Sequence, residues 1–266
     1  MILSKENYHS REANLQYLSK SQYDSFQSCE AATMAALRGE WEEPKTEALL
    51  VGSYVHAWCE GKQEQFKAEN PAMFSSRGAT KGQLKSEFIL ADEMIRTLQA
   101  DPFIMHVLQG QKEVIQTAEI GGIQWKGMFD VYVPNKRIVD LKTTKSIRDL
   151  QWSAEHGGRV TFIEQYHYFR QVAIYLEIER INAGRPEGDW LEFYMVAVSK
   201  ENVPDKEVIN LTDHERVGVE LAKIKVDLSR ITAVKSGRVP PVGCGCCDYC
   251  RSVKVITRAI DYRELA

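Results

Sequence analysis

Two runs rich in apolar and β-branched residues, Trp125–Val133 and Ile138–Thr144, flank the polar turn Pro134-Asn135-Lys136-Arg137. That pattern predicts a β-hairpin. Val114–Ile120 is similarly rich in β-branched residues and predicts a strand leading into the hairpin. Trp190–Val198 is apolar almost throughout, as a strand buried on both faces is, and Val208–Leu211 suggests one more. Elsewhere the period is helical. Residues 19–39 read as a helix opened by Ser and Asp and stopped at Gly39. Further helices are expected over residues 47–66, 84–100 and 161–183. A capping box, Thr212-Asp-His-Glu215, opens a last helix that reaches Lys235. Residues 1–18 read as an irregular arm and 68–83 as a polar loop. The stretch 145–160, with Lys145, Arg148, Trp152 and Arg159, reads as a basic and aromatic loop of the kind that follows a nucleic-acid backbone.

Strands interleaved with helices imply an α/β fold, with a mixed central β-sheet flanked by helices. A chain of 266 residues fits a single domain over 1–266, with residues 240–266 as a cysteine-rich C-terminal appendage. Its net charge of −3 carries no global basic signature, so any nucleic-acid binding must come from a local patch. The N-terminus lacks an apolar signal core and no run approaches membrane-spanning length, which points to a cytoplasmic protein without a membrane partner.

The hairpin carries the candidate chemistry. Alternation puts Lys126, Met128, Asp130 and Tyr132 on one face of its first strand, and Ile138, Asp140, Lys142 and Thr144 on one face of its second. With the turn centred on Asn135, Asp130 lies opposite Asp140. Opposed like charges destabilise a sheet, so something positive should fill the gap. Either a divalent cation or Lys142 can do so. Phosphodiester hydrolysis uses both, a metal to activate water and an ammonium beside the scissile phosphate. An exposed hairpin edge kept soluble by its charges fits the same residues.

Cysteine usage adds a second centre. Four of the six cysteines crowd into Cys244-Gly-Cys246-Cys247-Asp-Tyr-Cys250, too tightly for a disulfide framework and well suited to a metal. Cys29 and Cys59 stand alone and read as small core residues.

Four short motifs fall in order along the chain. They are Gly52 and His56 four apart on a helix, Gly127 and Asp130 on a strand, Asp140 and Lys142 on the next, and Tyr168, Gln171 and Tyr175 on a later helix. In this order, over roughly residues 21–199, the chain resembles the RecB/RecE-like branch of the PD-(D/E)xK nuclease superfamily. It looks most like the phage and prophage exonucleases related to exonuclease VIII. The resemblance implies a restriction-endonuclease-like core and a Mg²⁺ or Mn²⁺ held by His56, Asp130, Asp140 and the Leu141 carbonyl. It places Lys142 beside the attacking water, with Gln171 and Tyr175 against the catalytic strand or the DNA. Glu119 would add an outer carboxylate. Phe129 stands where the superfamily name has proline, and Asp140 where it allows glutamate. The cysteines are similar to the AddB-like pattern of one cysteine before the nuclease core and three after it. That likeness implies that Cys29, Cys244, Cys247 and Cys250 hold a 4Fe–4S cluster or a structural zinc, with Cys246 spare. The implied activity is degradation of linear double-stranded DNA ends to single strands for phage-type recombination. A RecT-like single-strand annealing protein is the implied partner, and a homo-oligomer the implied assembly. An endonuclease or CRISPR-adaptation-type nuclease of the same superfamily, or a catalytically inactive DNA-binding module, are the alternatives.

Overall fold

The structure is a computed structural model and describes residues 1–42 and 46–265, the side chains of Glu264 and Leu265 excepted. In chain order the first helices are α1 (Arg11–Gln16), α2 (Lys20–Ser28), α3 (Glu30–Arg38), α4 (Glu47–Cys59) and α5 (Gln63–Glu69). Then come α6 (Ser86–Gln99), α7 (Pro102–Val107), β1 (Gln111–Ile120), β2 (Ile123–Val133) and β3 (Arg137–Thr144). A small pair, β4 (Gln151–Ser153) and β5 (Gly158–Val160), precedes α8 (Phe162–Gln165) and α9 (Tyr168–Ala183). The chain continues through β6 (Glu192–Ser199), β7 (Lys206–Asn210), α10 (His214–Lys235) and α11 (Asp248–Ser252). These elements divide into two compact units, residues 44–226 and residues 1–43 with 227–266. Among the described residues no helix is long and apolar enough to cross a membrane.

The larger unit is an α/β fold on a five-stranded mixed sheet in the order β1-β2-β3-β6-β7. β1 and β2 form an antiparallel hairpin through Gly121 and Gly122, both at positive φ, a conformation that glycine adopts without strain. β3 pairs antiparallel with β2 and parallel with β6, and the parallel step is what requires the crossover through α8 and α9. On one face, Val131, Val139, Leu141, Val196 and Val198 form a core with Val51, Tyr54 and Val55 of α4 and Phe88, Ala91 and Met94 of α6. α9 lies along the other face over β1 and β2, where Tyr175 meets Phe129 at 5.0 Å between ring centroids. Burying this much apolar surface, at roughly 25 cal/mol per Å², is what fixes the strands beneath their helices.

Several predicted elements are divided. The helix expected over 47–66 stops at Cys59, and Gly61 at φ +76 separates α4 from α5. The helix expected over 84–100 ends at Gln99, and a separate short helix, α7, follows at once, with the Asp101 carboxylate accepting from the N–H groups of Phe103 and Ile104. The helix expected over 161–183 is split at His167, whose φ of +51 is left-handed. Asp213, rather than Thr212, accepts the Arg216 N–H at the start of α10, because the Thr212 hydroxyl is taken by the backbone of Phe193. The loop expected over 145–160 contains the β4–β5 ribbon, with Trp152 exposed on it and Arg148 paired to Asp205 and Glu207.

The smaller unit joins the two chain ends. Residues 1–18, expected as an irregular arm, contain α1, capped by the Ser10 hydroxyl, and bury Ala13, Tyr17 and Leu18. The single helix expected over 19–39 is broken at Cys29, which is extended at φ −165 and ψ 106 and caps α3 through its own sulfur. The start of the segment 240–266 is bonded to α3. The Val242 carbonyl accepts from the Ala31 N–H at 3.1 Å, and the Val242 N–H donates to Glu30 at 2.8 Å. Arg230 closes on the Glu30 carboxylate with two nitrogens.

Candidate active site

β2 and β3 pair through their backbones only from Val131↔Val139 to Val133↔Arg137. Continuing that register brings Asp130 opposite Asp140, as the sequence implies, but at the point where the ladder ends. The Leu141 N–H turns to the Asp130 carboxylate instead, at 2.8 Å from Oδ2. On the other side of β2, Lys112 pairs with Val131 and Val114 with Phe129, while Glu113 between them has φ +51. Asp130 therefore sits between two interruptions, the sort of irregularity that re-aims a side chain. The common face expected for Lys126, Met128, Asp130 and Tyr132 is broken at the same point. Val131 faces the core under α4 and α6, yet its neighbours Phe129 and Tyr132 both reach α9, Tyr132 donating to Glu179 at 2.9 Å.

Four elements converge on this gap. From α4, His56 Nδ1 lies 3.5 Å from Asp130 Oδ1. From β3, the Lys142 ammonium lies 2.9 and 2.8 Å from the two oxygens of Asp140. From α9, the Gln171 amide donates to Asp140 Oδ1 at 2.6 Å, and the Tyr168 ring lies 5.6 Å from Lys142 Nζ. The gap's positive charge is thus Lys142. At Gly52 α4 comes near β3: a Cβ there would stand 3.4 Å from the Thr143 hydroxyl.

The electrostatics separate the two carboxylates. Burial alone would raise the Asp130 carboxyl, but His56, Lys142 and the Leu141 N–H outweigh it and hold it down at about 2. Asp140 is pushed up, by burial first and by Asp130 beside it, against the pull of Lys142. Burial would lower His56, and Asp130 reverses this and raises it. Lys142 is likewise raised, since Asp140 and Asp130 overcome its burial. Burial lifts the Tyr168 phenol to about 12.

An imidazole and two carboxylates beside a strand carbonyl make a largely oxygen donor set suited to Mg²⁺ or Mn²⁺. Asp140 Oδ2 is buried and makes no hydrogen bond of good geometry, a lone pair left for a cation. The Lys142 ammonium occupies that direction, and the donors of His56, Asp130 and Asp140 are not gathered to ligand spacing. Among the described residues only the cysteines are.

Tyr175 takes a different place from Gln171. It packs behind β2, where a Cβ on Gly127 would stand 3.2 Å from its ring. Glu119 does not reach the gap. It accepts from Gln124 near the β1–β2 turn, six residues along β2 from Asp130, or roughly 20 Å at strand rise. The acidic neighbours that sequence reasoning missed are Glu113, opposite Asp130 on β1, and Glu60 at the end of α4, whose carboxyl is raised by burial and by its bond to Glu113. Register alone points to Glu113, once the hairpin turn is located at Gly121-Gly122. Cys59 is half-buried and accepts from Lys112 at 3.3 Å, its thiol raised by burial.

In the smaller unit, the sulfurs of Cys29, Cys244, Cys247 and Cys250 all lie within 4.8 Å of one another. Cys29 is 3.6 Å from Cys250, and Cys250 is 4.0 Å from Cys244. None of the six cysteines is in a disulfide. Backbone N–H groups of Cys246 and Cys247 lower the Cys244 thiol to about 6.

Comparison with known proteins agrees with this geometry. A crystal structure from Eubacterium rectale, described as that of a candidate exonuclease, matches with a TM-score of 0.91 and 39% identity, covering 100% of this chain and 98% of that one. A second structure, SSO0001, has 17% identity and a TM-score of 0.28 over 82% of this chain and 86% of that one, and carries no argument. No curated protein matches the chain. Residues 19–253 match the family described as a PDDEXK-like domain of unknown function (DUF3799). With its mixed sheet and its paired strand carboxylates and lysine, the chain belongs to that PDDEXK-like family, within the PD-(D/E)xK nuclease superfamily.

Proposed function

We propose that this protein is a divalent-metal-dependent deoxyribonuclease that degrades linear double-stranded DNA from its ends. The observation that carries it is the end of the β2–β3 ladder, where Asp130 and Asp140 face each other with His56, Lys142 and Gln171 upon them. His56, Asp130, Asp140 and the Leu141 carbonyl would hold Mg²⁺ or Mn²⁺. Within a strand the N–H and C=O of one residue point the same way, so the Leu141 carbonyl faces the gap that its N–H enters. When bound, the ion would polarise the phosphate and make water acidic enough to attack.

The chain's own groups do the rest. Asp130, held at about 2, is ionised at any working pH and keeps His56 oriented toward the gap. Lys142 moves from Asp140 toward the phosphate, where its ammonium offsets the charge that builds in the transition state. Gln171 keeps Asp140 aimed after Lys142 leaves. Tyr175 fixes β2 from behind through Gly127. Exposed Trp152 and Tyr166 offer faces on which unpaired bases can stack.

The description of the Eubacterium rectale structure as a candidate exonuclease supports end-directed cleavage. The products would be single strands for recombination, passed to an annealing protein of the RecT-like kind, with several copies of this chain assembled on the DNA. End-labelled linear duplex and closed circular DNA, each with Mg²⁺ or EDTA, test this directly. Linear DNA should be lost only with Mg²⁺ while circles stay closed. Nicked or linearised circles would make the protein an endonuclease.

A further inference from the structure

The β4–β5 ribbon stands between the two elements that carry the candidate centre: β3, with Lys142, ends at Thr144 before it, and α9 opens with Tyr168 after it. Its register pairs Trp152 directly with Arg159. Residues directly opposite in an antiparallel pair share a face. That face is in solvent, since Trp152 is 67% exposed and Arg159 is exposed as well. The pairs on either side, Gln151 with Val160 and Ser153 with Gly158, point the other way and are buried or half-buried. Both strands of the ribbon pack on α8.

A ribbon of two three-residue strands has little stability of its own. An indole turned toward α8 would add to it, yet Trp152 faces water opposite a guanidinium. Of the five tryptophans Trp152 alone is exposed. Arg148, earlier in the same stretch, is taken by Asp205 and Glu207, so Arg159 is the arginine that shares the indole's face. From α8 a row of rings leads to the centre. Exposed Tyr166 lies 6.0 Å from Tyr168, and Lys142 Nζ lies 5.6 Å from the Tyr168 ring. His167 stands between these two tyrosines in the chain, and Glu155 of the ribbon tip reaches it at 3.5 Å. The ribbon is thus tied to the row that ends at Lys142.

We propose that the Trp152–Arg159 face binds single-stranded DNA and leads it past Tyr166 and Tyr168 to the Lys142 side of the centre. The choice of DNA rests on the nuclease reading above. An indole stacks on a base whose face is free, and a guanidinium forks the backbone phosphate beside it. A closed duplex hides its base faces, so this surface selects DNA ends whose last nucleotides are unpaired.

Binding is measured without cleavage, which keeps this test apart from that of the nuclease reading. The full chain in EDTA is titrated with oligo(dT) of about 12 nucleotides, the size a single-strand surface of this kind engages. Tryptophan emission and the anisotropy of a labelled oligo(dT) are followed. Oligo(dT) should quench wild-type emission. Trp152→Phe should remove that quenching yet keep most of the affinity, because a phenyl ring still stacks. Trp152→Ser should weaken binding by roughly fivefold to a hundredfold. Arg159→Gln should lower the slope of log affinity against log salt by about 0.7, the share of one phosphate contact on a single strand. With both side chains in solvent, all three variants should melt with wild type. A closed dumbbell duplex should leave the emission unchanged. Equal quenching in wild type and Trp152→Phe, full affinity in Trp152→Ser, or equal quenching by the dumbbell would overturn the proposal even if the protein cleaves DNA.

Discussion

The two candidate metal positions of this chain are prepared in opposite ways. At the cysteines the four sulfurs already stand at ligand spacing, and backbone N–H groups point at them. At the end of the β2–β3 ladder the donors are apart, and the chain's own ammonium sits where a cation would bind. A position filled once and kept benefits from closure. A position that must exchange ion, water and phosphate benefits from a resident charge that can swing aside. Lys142 would do both jobs: its ammonium sits on the buried Asp140 carboxylate in the free protein, and in the proposed reaction it would offset the charge that builds on the phosphate. Removing either carboxylate therefore does not simply relieve repulsion, as two bare opposed aspartates would suggest. Each has its own partner, His56 with Leu141 N–H for Asp130, and Lys142 with Gln171 for Asp140.

The widest separation between the two positions should come from charge-removing substitutions at the ladder's end. Asp130→Asn or Lys142→Met should lower cleavage of linear duplex by about 10³-fold or more, the scale of losing metal or transition-state charge stabilisation. Metal bound at the cysteines should not change in either variant. Its loss from these variants would mean that the two positions are not separate. Gln171→Leu should act less strongly, lowering cleavage by roughly tenfold to a hundredfold and raising the Mg²⁺ concentration for half-maximal rate, because it positions Asp140 without touching substrate. An unchanged Mg²⁺ titration would remove Gln171 from that role.

The reverse pattern is expected from the cysteines. Cys29→Ser should abolish metal binding at the cysteines and lower the melting temperature by about 5–10 °C, while cleavage well below the new transition falls by less than about tenfold. Cleavage lost together with that metal at such temperatures would break the comparison from the other side. The smallest effect belongs to Lys126, buried on β2 and depressed by that burial to about 8 from 10.5. Below pH 8 both folded and unfolded forms carry its proton, and the native state bears the cost of burying the charge. Between pH 8 and 10.5 the unfolded chain binds more protons, so this group makes stability rise with pH. Lys126→Met should remove that dependence, so the difference in melting temperature between variant and wild type should shift between pH 8 and 10.5. A difference that stays constant over that range would show that burial does not move the Lys126 proton.

Much of the larger unit was legible from side-chain period. The β2–β3 hairpin and the facing of Asp130 and Asp140 follow from spacing that neighbouring residues enforce, whereas the grouping of His56 and Gln171 with them came from the family resemblance. What spacing does not carry is the backbone's departure from it. Strict alternation gave no warning that β2 changes faces beside Glu113, since a positive φ at a glutamate has no composition signal. His167 likewise breaks a continuous helical pattern with a left-handed residue that is not glycine. The break at Cys29 was invisible for a different reason. Its cause, a sulfur shared with Cys244 and Cys250, lies more than 200 positions along the chain. Glu119 was misplaced because nearness in sequence was mistaken for nearness along a ten-residue strand.

The most direct measurement uses wild type and Asp140→Asn from matched preparations of equal melting temperature. End-labelled linear duplex is incubated with each, and Mg²⁺ is titrated from zero. The expected result is Mg²⁺-dependent loss of label by wild type and a rate at least about 10³-fold lower for the variant at every Mg²⁺ concentration. Equal cleavage by the two proteins, or cleavage by wild type that persists in excess EDTA, would contradict a metal-dependent nuclease centre at the end of the β2–β3 ladder.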